Sequence, residues 1–153
     1  GEIGHITVNH DEIEACNCGQ YGCLEQYTSA TGIVRVAKRK LAKTIDETSL
    51  RNFPELTAKD VFDEAKSGDA VALGLVDEVC GILGSTLSNI ACVVDPEVVV
   101  IGGGVSKAGS ILIESIQKHF VETSFHACRN TKFVSAGLGN DAGMYGCVQM
   151  LLD

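Results

Sequence analysis

The residues most able to do chemistry lie close together near the start of the chain. Cys16, Cys18 and Cys23 fall in the run Cys16-Asn17-Cys18-Gly19-Gln20-Tyr21-Gly22-Cys23. Three thiolates at this spacing can converge on one ion if the chain turns sharply, and Gly19 and Gly22 permit such a turn. Zinc takes four soft or borderline ligands in a tetrahedron, so a fourth donor is needed. His5 is the best candidate and His10 the alternative. A closed set of His5, Cys16, Cys18 and Cys23 would make a structural zinc site, pinning the loop 9–22 against the segment before it. The competing reading is a reduced, metal-free loop. It is the weaker one, because clustered thiols without a metal oxidise readily. A second feature is Gly102-Gly103-Gly104, which follows an apolar run. A glycine turn between a strand and a helix lets backbone N–H groups approach a nucleotide. This one is neither a Walker loop nor G-x-G-x-x-G, and alone it is only a tight turn. Gly137-Leu138-Gly139 is a second turn of the same kind.

These residues must be held by ordered elements. Ile3 to Val8 is rich in β-branched residues and predicts a strand. A helix is expected from Leu24, with Leu24, Tyr27, Ala30, Ile33, Val34, Ala37 and Leu41 at helical spacing. Its other face carries Arg35, Lys38, Arg39, Lys40 and Lys43, read as a solvated stripe. Thr57, three residues before Asp60, predicts the start of a short helix through about Lys66. Asp69 is the expected N-cap of a long helix to about Cys92. In that helix Gly81, Gly84, Ser85 and Ser88 form a small-residue surface suited to close approach by another element, and they are one reason to expect a homodimer. Asp95-Pro96 ends it. Val98-Val99-Val100-Ile101 reads as a strand covered on both faces. A helix to about Val121, a strand over 131–136 and a final helix capped by Asn140 or Asp141 complete the chain. Strand and helix alternating in this way indicate an α/β domain with partly parallel strands.

Composition sets the outer limits. The 153 residues suffice for one domain, 45% are apolar and 21% charged, which argues against wholesale disorder. The net charge of −8 disfavours nucleic acid and anionic membranes as partners. No uninterrupted apolar run reaches about 18 residues, so no membrane-spanning helix is expected. The first residues show no basic and apolar leader pattern, so no signal peptide is expected and a cytoplasmic location follows. The odd count of seven cysteines argues against a disulfide framework. Cys80, Cys92, Cys128 and Cys147 lie in apolar stretches and read as small core residues.

Several of these segments together carry a resemblance. Gly1-Glu2-Ile3-Gly4-His5, followed by Cys16-x-Cys18-Gly19-x-x-Gly22-Cys23-Leu24-Glu25, resembles the signature of the ROK family of repressors and sugar kinases. The resemblance continues through Tyr27 to Gly32, through Asp95-Pro96-Glu97 to Val105, and through Leu138-Gly139-Asn140-Asp141-Ala142-Gly143. It spans nearly the whole chain, and its cysteine signature is the specific part. It implies an α/β lobe of the hexokinase/actin-like (ribonuclease H-like) fold, with a zinc-binding loop and a helical segment. The chain would correspond to the C-terminal half, 1–153, with the N-terminal lobe absent. Within it, 1–25 would be the strand and zinc loop, 24–92 the helical segment and 95–153 the α/β segment.

The resemblance is strongest to the glucose-phosphorylating branch of the family. It implies ATP-dependent transfer to the 6-hydroxyl of glucose, with Mg-ATP as co-substrate, in the complete protein. Glu2, His5 and Glu25 would line the sugar pocket, since carboxylates accept hydrogen bonds from adjacent hydroxyls. Strict strand alternation would put Glu2 and His5 on opposite faces, so Gly4 must break the pleat. Gly102, Gly103, Gly104 and Gly137, with Gly139 beside them, would contact the nucleotide. The family's D-x-G-G-T phosphate loop and its N-D-x-N catalytic motif are missing, so no catalytic base is assigned and the chain alone is expected to be inactive. Asn140-Asp141-Ala142 matches the latter only superficially and reads as a helix cap. The alternative is the sugar-sensing half of a ROK transcriptional repressor. The family resemblance also agrees with a homodimer.

Overall fold

The computed structural model describes residues 1–138 and 141–152. Among the described residues, eight helices and strands follow in order: α1 (Glu25–Thr28), α2 (Ala30–Lys43), α3 (Ala58–Lys66), α4 (Ala70–Val94), β1 (Val98–Ile101), α5 (Ser110–Thr123), β2 (Lys132–Ser135) and α6 (Ala142–Gln149). Gly139 and Asn140, named above at the second glycine turn, lie outside the described residues.

Helix ends form where local chemistry dictates. The Thr57 hydroxyl accepts from Asp60 N–H while the Asp60 side chain accepts from Thr57 N–H, closing a capping box on α3. Asp69 accepts from Ala72 N–H at the start of α4, as the sequence predicts. Burial pushes the Asp69 carboxyl up, but the Ala72 amide with Thr48 and Ser49 outweighs it and holds the group at about 2. Asp95 closes α4 in the left-handed region at φ 45°. The helix expected from Leu24 is interrupted: Ser29 is extended and its hydroxyl accepts from Gly32 N–H, so α1 ends and α2 begins anew. Gly32 makes the corner possible, because a Cβ there would lie 2.5 Å from Glu25 O. Of the two expected caps of α6, Asp141 makes no side-chain capping bond, and Asn140 lies outside the described residues.

The core sits among α2, α3, α4 and α5. Phe62, Phe120, Ile33, Leu75, Ile116 and Val79 are fully buried there. The small residues of α4 let α5 approach: a Cβ on Gly84 would sit 2.7 Å from Ile116 O, and the Thr123 hydroxyl donates to Ser88 Oγ at 3.0 Å. Gly84 and Ser88 thus pack against α5 within the chain, while Gly81 and Ser85 also border an open cavity. By length and composition alone α4 could cross a membrane, unlike the expectation from uninterrupted runs. Half of its apolar window is buried, the pattern of a core helix.

β1 and β2 pair in parallel, with Val98 opposite Lys132 and Ile101 opposite Ser135. Phe133 packs edge-on against Phe120 of α5, with ring centroids 4.9 Å apart. One sheet face is thus covered. The other is not: Val98, Val100 and Val134 are exposed. The strand expected to be buried on both faces is buried on one, because the described residues supply no second layer.

Three further expectations change. Residues 3–8 form no regular strand. Ile3–His5 is a 3-10 turn, and the chain beyond it pairs with the 22–24 segment through Val8 N–H to Gly22 O, Leu24 N–H to Ile6 O and the Thr7–Cys23 bridge. The helix after Gly104 starts as a 3-10 turn over Gly104–Ala108 and restarts at Ser110, after Gly109 at φ 78°. Among the scattered cysteines Cys80 and Cys128 are buried, but Cys92 and Cys147 are exposed.

Candidate metal centre and sugar site

The cysteine loop is built by hydrogen bonds its own turns create. Gly19 N–H donates to Cys16 O at 2.8 Å, Cys16 N–H donates to Gln20 O at 2.7 Å, and Ala15 bridges Tyr21. Gly19 and Gly22 take φ of +85° and +70°, the left-handed values the turn requires. Gly22 has a second constraint, since a Cβ there would lie 1.7 Å from Asn9 O.

This loop brings four donors together. The ligand atoms of His5, Cys16, Cys18 and Cys23 all lie within 4.8 Å of one another. Cys18 Sγ is 3.6 Å from Cys23 Sγ, and His5 Nδ1 is 3.8 Å from Cys16 Sγ. Zn–S bonds near 2.3 Å at a tetrahedral angle put two sulfurs about 3.8 Å apart, so the arrangement suits zinc. His10 is exposed and is not part of the cluster. The thiols are not alike. Burial first, then Cys18 and Cys16, push the Cys23 thiol up to about 12, while the Gln20 backbone amide holds Cys18 below the usual thiol value. Cys23 is wholly enclosed, and a cation at the centre is what would let it be a thiolate.

The 3-10 turn solves the pleat problem. Strand alternation does not apply, because Ile3–His5 is a 3-10 turn and Glu2 is its non-helical N-cap, its carbonyl accepting from His5 N–H at 3.1 Å. His5 Nδ1 is 3.8 Å from Glu25 Oε2 as well as from Cys16 Sγ. A Cβ on Gly4 would meet Glu25 Cβ at 3.6 Å, so the turn also backs the Glu25 side chain. His5 and Glu25 therefore meet at the cluster, whereas Glu2 stands exposed at the start of the turn. A cavity of about 220 Å³ opens beside them, lined by Cys16, Asn17, Glu25, Gln26, Thr31 and Arg35 among others.

Sequence reasoning missed what holds the loop to the helices. Arg35 and Arg39, expected in a solvated stripe, grip two carboxylates of the loop instead. Arg39 donates to both oxygens of buried Glu12 at 2.8 and 2.9 Å, Arg35 pairs with Glu12 at 2.8 Å, and both arginines pair with Glu14 at 2.9 Å. The Tyr27 hydroxyl donates to Glu12 at 2.6 Å. The Arg39 guanidinium, against the opposing pull of burial and with help from Tyr27, the Glu14 amide and Arg35, holds the Glu12 carboxyl far below the usual range. Gln26 adds a staple, accepting from Cys23 N–H and donating to Glu14 O. The i, i+4 spacing of Arg35 and Arg39 was the available signal, but spacing cannot say which acids it meets. Lys38, Lys40 and Lys43 do face solvent.

The glycine turns form a second centre. Ala136 N–H donates to Ile101 O at 2.9 Å, and a Cβ on Gly102 would meet Ala136 Cβ at 3.4 Å. Gly102–Gly104 and Gly137 thus follow the carboxyl ends of two adjacent parallel strands, where open α/β sheets bind ligands. Two cavities adjoin the Gly102–Gly104 turn, and Gly137 lines neither. One, of about 300 Å³, is lined by Gly102, Gly103, Gly104, Ser29 and Leu83; another, of about 290 Å³, by Ala30, Thr57, Phe62, Gly104, Val105 and Lys107.

The sequence pattern of the ROK family matches residues 1–153. The chain belongs to the ROK family. Among ROK relatives, a glucokinase of Halalkalibacterium halodurans is 44% identical over 150 residues, covering 95% of this chain and 46% of the relative. A xylose repressor of Caldicellulosiruptor bescii is 30% identical over 155 residues, covering 99% of this chain and 39% of the relative. In three dimensions, a ROK family glucokinase from Streptomyces griseus in complex with glucose and AMPPNP superposes with a TM-score of 0.86 at 30% identity, covering 98% of this chain and 50% of that one. The chain spans about half the length of the relatives it matches. Its fold is that of one α/β portion of the actin-like ROK sugar kinases.

Proposed function

We propose that this chain is the C-terminal, sugar- and nucleotide-binding half of an ATP-dependent glucokinase that phosphorylates the 6-hydroxyl of glucose. The observation that carries the reading is the place of His5, 3.8 Å from both the cysteine cluster and the Glu25 carboxylate. Residues 1–153 act as one lobe: the zinc loop over 1–25, the helical segment over 24–92 and the α/β segment over 95–153.

His5, Cys16, Cys18 and Cys23 hold a structural zinc. With Nδ1 turned toward the cluster, the other ring nitrogen of His5 is left for a sugar hydroxyl, and the metal fixes its orientation. Glu25 accepts from sugar hydroxyls in a position set by the loop, two residues after Cys23. Glu2 joins from the residue that precedes the 3-10 turn. Gly102, Gly103, Gly104 and Gly137 receive the nucleotide of Mg-ATP at the carboxyl ends of β1 and β2. Supporting this, the cavity of about 290 Å³ next to Gly104 is walled by Ala30, Phe62, Val105 and Ala108, an apolar slot of a size for a planar base. The phosphate loop and the catalytic base belong to the remaining half of the protein, so this chain alone turns nothing over. Catalysis by positioning and electrostatics needs both walls of the cleft. Seven unpaired cysteines fit the reducing cytoplasm. The exposed apolar face of Val98, Val100 and Val134 leaves room for a homodimer, although the surface at Gly84 does not contribute to it.

The second reading, the sugar-sensing half of a ROK repressor, is favoured by the 30% match to the xylose repressor. A coupled ATP–glucose assay on the full-length protein separates the two. Turnover of glucose supports the kinase; glucose binding without turnover, with specific DNA binding, supports the repressor.

A further inference from the structure

Two stretches of extended backbone have open edges. In the first, Leu24 N–H donates to Ile6 O and Val8 N–H donates to Gly22 O, on either side of the Thr7–Cys23 bridge. In an antiparallel pair of this pattern the residue in the middle turns its backbone the other way, so Thr7 N–H and C=O face away from 22–24. In the second, Lys132 N–H donates to Glu97 O and Ala136 N–H donates to Ile101 O. Period-two alternation then turns the N–H and C=O of Val98 and Val100 away from β2. Among the described residues no backbone hydrogen bond reaches Thr7, and β1 pairs with β2 alone. The Thr7 edge also borders a groove. A cavity of about 780 Å³ lies between Ile6, Thr7 and Val8 on one side and α4 on the other, where Ile82, Ile90 and Val93 line it. Val93 is 87% exposed and Val94 64%. No charged side chain lines the groove, so its walls offer apolar contact and backbone hydrogen bonds and nothing for an ion.

We propose that extended apolar segments from the remaining half of the protein complete this lobe, one lying in the groove and pairing with the Thr7 edge, another adding to the open edge of β1. The inference rests on the reading of this chain as half of a longer protein, since its ROK relatives are about twice its length. It goes beyond that reading, because the remaining half then supplies sheet to this lobe as well as a facing wall of the cleft. Strand addition suits both places: the main chain satisfies the open edge, and alternate apolar side chains fall on the exposed valines. An open edge beside apolar surface is a template for pairing that folded proteins cover. A second copy of this chain meets the need less well. Copies related by a two-fold axis pair like edge with like, which closes one of the two edges and leaves the other. Pairing the Thr7 edge of one copy with β1 of the next is head-to-tail, and such contacts run on unless the rotation happens to close a ring.

The test uses the full-length protein and two readouts. A photo-crosslinking benzophenone side chain at position 93 is expected, on irradiation, to join a segment of the same polypeptide outside residues 1–153. The product should run as a single chain on a denaturing gel, and its peptide map should place the join in a run of alternating apolar residues. In the unsubstituted protein, hydrogen exchange at the Thr7, Val98 and Val100 amides should be slower than in an unstructured peptide by about a hundred-fold or more. The proposal is overturned if the cross-link joins two chains, falls within 1–153 or does not form. It is equally overturned if the Thr7 and Val100 amides exchange freely while those of Val8 and Leu24, bonded within the chain, are protected. The exchange measurement decides even where the benzophenone disturbs folding. Neither readout involves glucose, so a protein that gives both results and turns over no glucose keeps this inference and loses the kinase reading.

Discussion

Gly22→Ala is expected to dismantle the metal loop, and the size of the effect can be worked from the geometry. The new Cβ would lie 1.7 Å from Asn9 O and 2.7 Å from Asn9 C, both backbone atoms that no rotamer change can move. The 6–9 segment must therefore separate from 22–24. That loses the bonds from Val8 and Asn9 N–H to Gly22 O, worth about 1 kcal/mol each. The φ of +70° adds roughly 1–2 kcal/mol for any residue with a Cβ. The sum is about 3–4 kcal/mol, a large part of a typical stability of about 5–15 kcal/mol. Gly19→Ala is the internal control. It has the same conformational cost at φ +85°, but nothing lies within 4 Å of its Cβ, so it should lose only about 1–2 kcal/mol. Urea unfolding of both variants, with zinc content read alongside, measures the difference. Gly22→Ala should also lose zinc. Equal penalties for the two variants would show that the approach of Asn9 to Gly22 does not hold the loop.

Two more substitutions probe the clamp and the pocket. Glu12→Gln leaves Arg35 and Arg39 facing a neutral amide at a side chain only 2% exposed, and should cost about 2–4 kcal/mol in urea unfolding, against less than about 1 kcal/mol for Glu14→Gln at 59% exposed. Because the folded Glu12 carboxyl is depressed below its ordinary 4.5, its contribution is present above that pH and fades as pH falls; unsubstituted protein and Glu12→Gln should converge in stability in acid, and a gap that persists unchanged to pH 2 would refute the clamp. In the full-length protein Glu25→Gln should keep zinc and weaken glucose binding about ten- to a hundred-fold, since a hydrogen bond to a charged group is worth roughly 1.5–3 kcal/mol. Cys23→Ser should lose zinc and glucose together, and normal glucose affinity after zinc loss would break the link between metal and pocket.

What could be read in advance was local. Thr57 with Asp60, and Asp69 before an apolar run, announce helix starts because the capping side chain and the amide it meets are three residues apart. The three cysteines and two glycines encode a closed turn in eight residues, and His5 is near enough in sequence to be guessed. What could not be read was set by distant partners. Arg39 is 27 residues from Glu12, so the stripe looked solvated. The 3–8 segment has β-branched residues but finds only 22–24 to pair with, and a strand without a sheet is no strand. Val98 to Ile101 has the composition of a doubly covered strand, yet only α5 and the core cover it here. Ser29 was legible as a cap in principle, but the unbroken apolar spacing on either side hid the break.

The proposed site requires His5, Cys16, Cys18 and Cys23 to hold one zinc beside Glu25. X-ray absorption at the zinc edge, on protein loaded with one equivalent, tests this directly. The predicted result is about one zinc per chain, with three sulfurs near 2.3 Å and one nitrogen near 2.0–2.1 Å, and with the nitrogen contribution lost in His5→Ala. A chain that retains its fold with no bound zinc, or a zinc surrounded by oxygen and nitrogen alone, would contradict it.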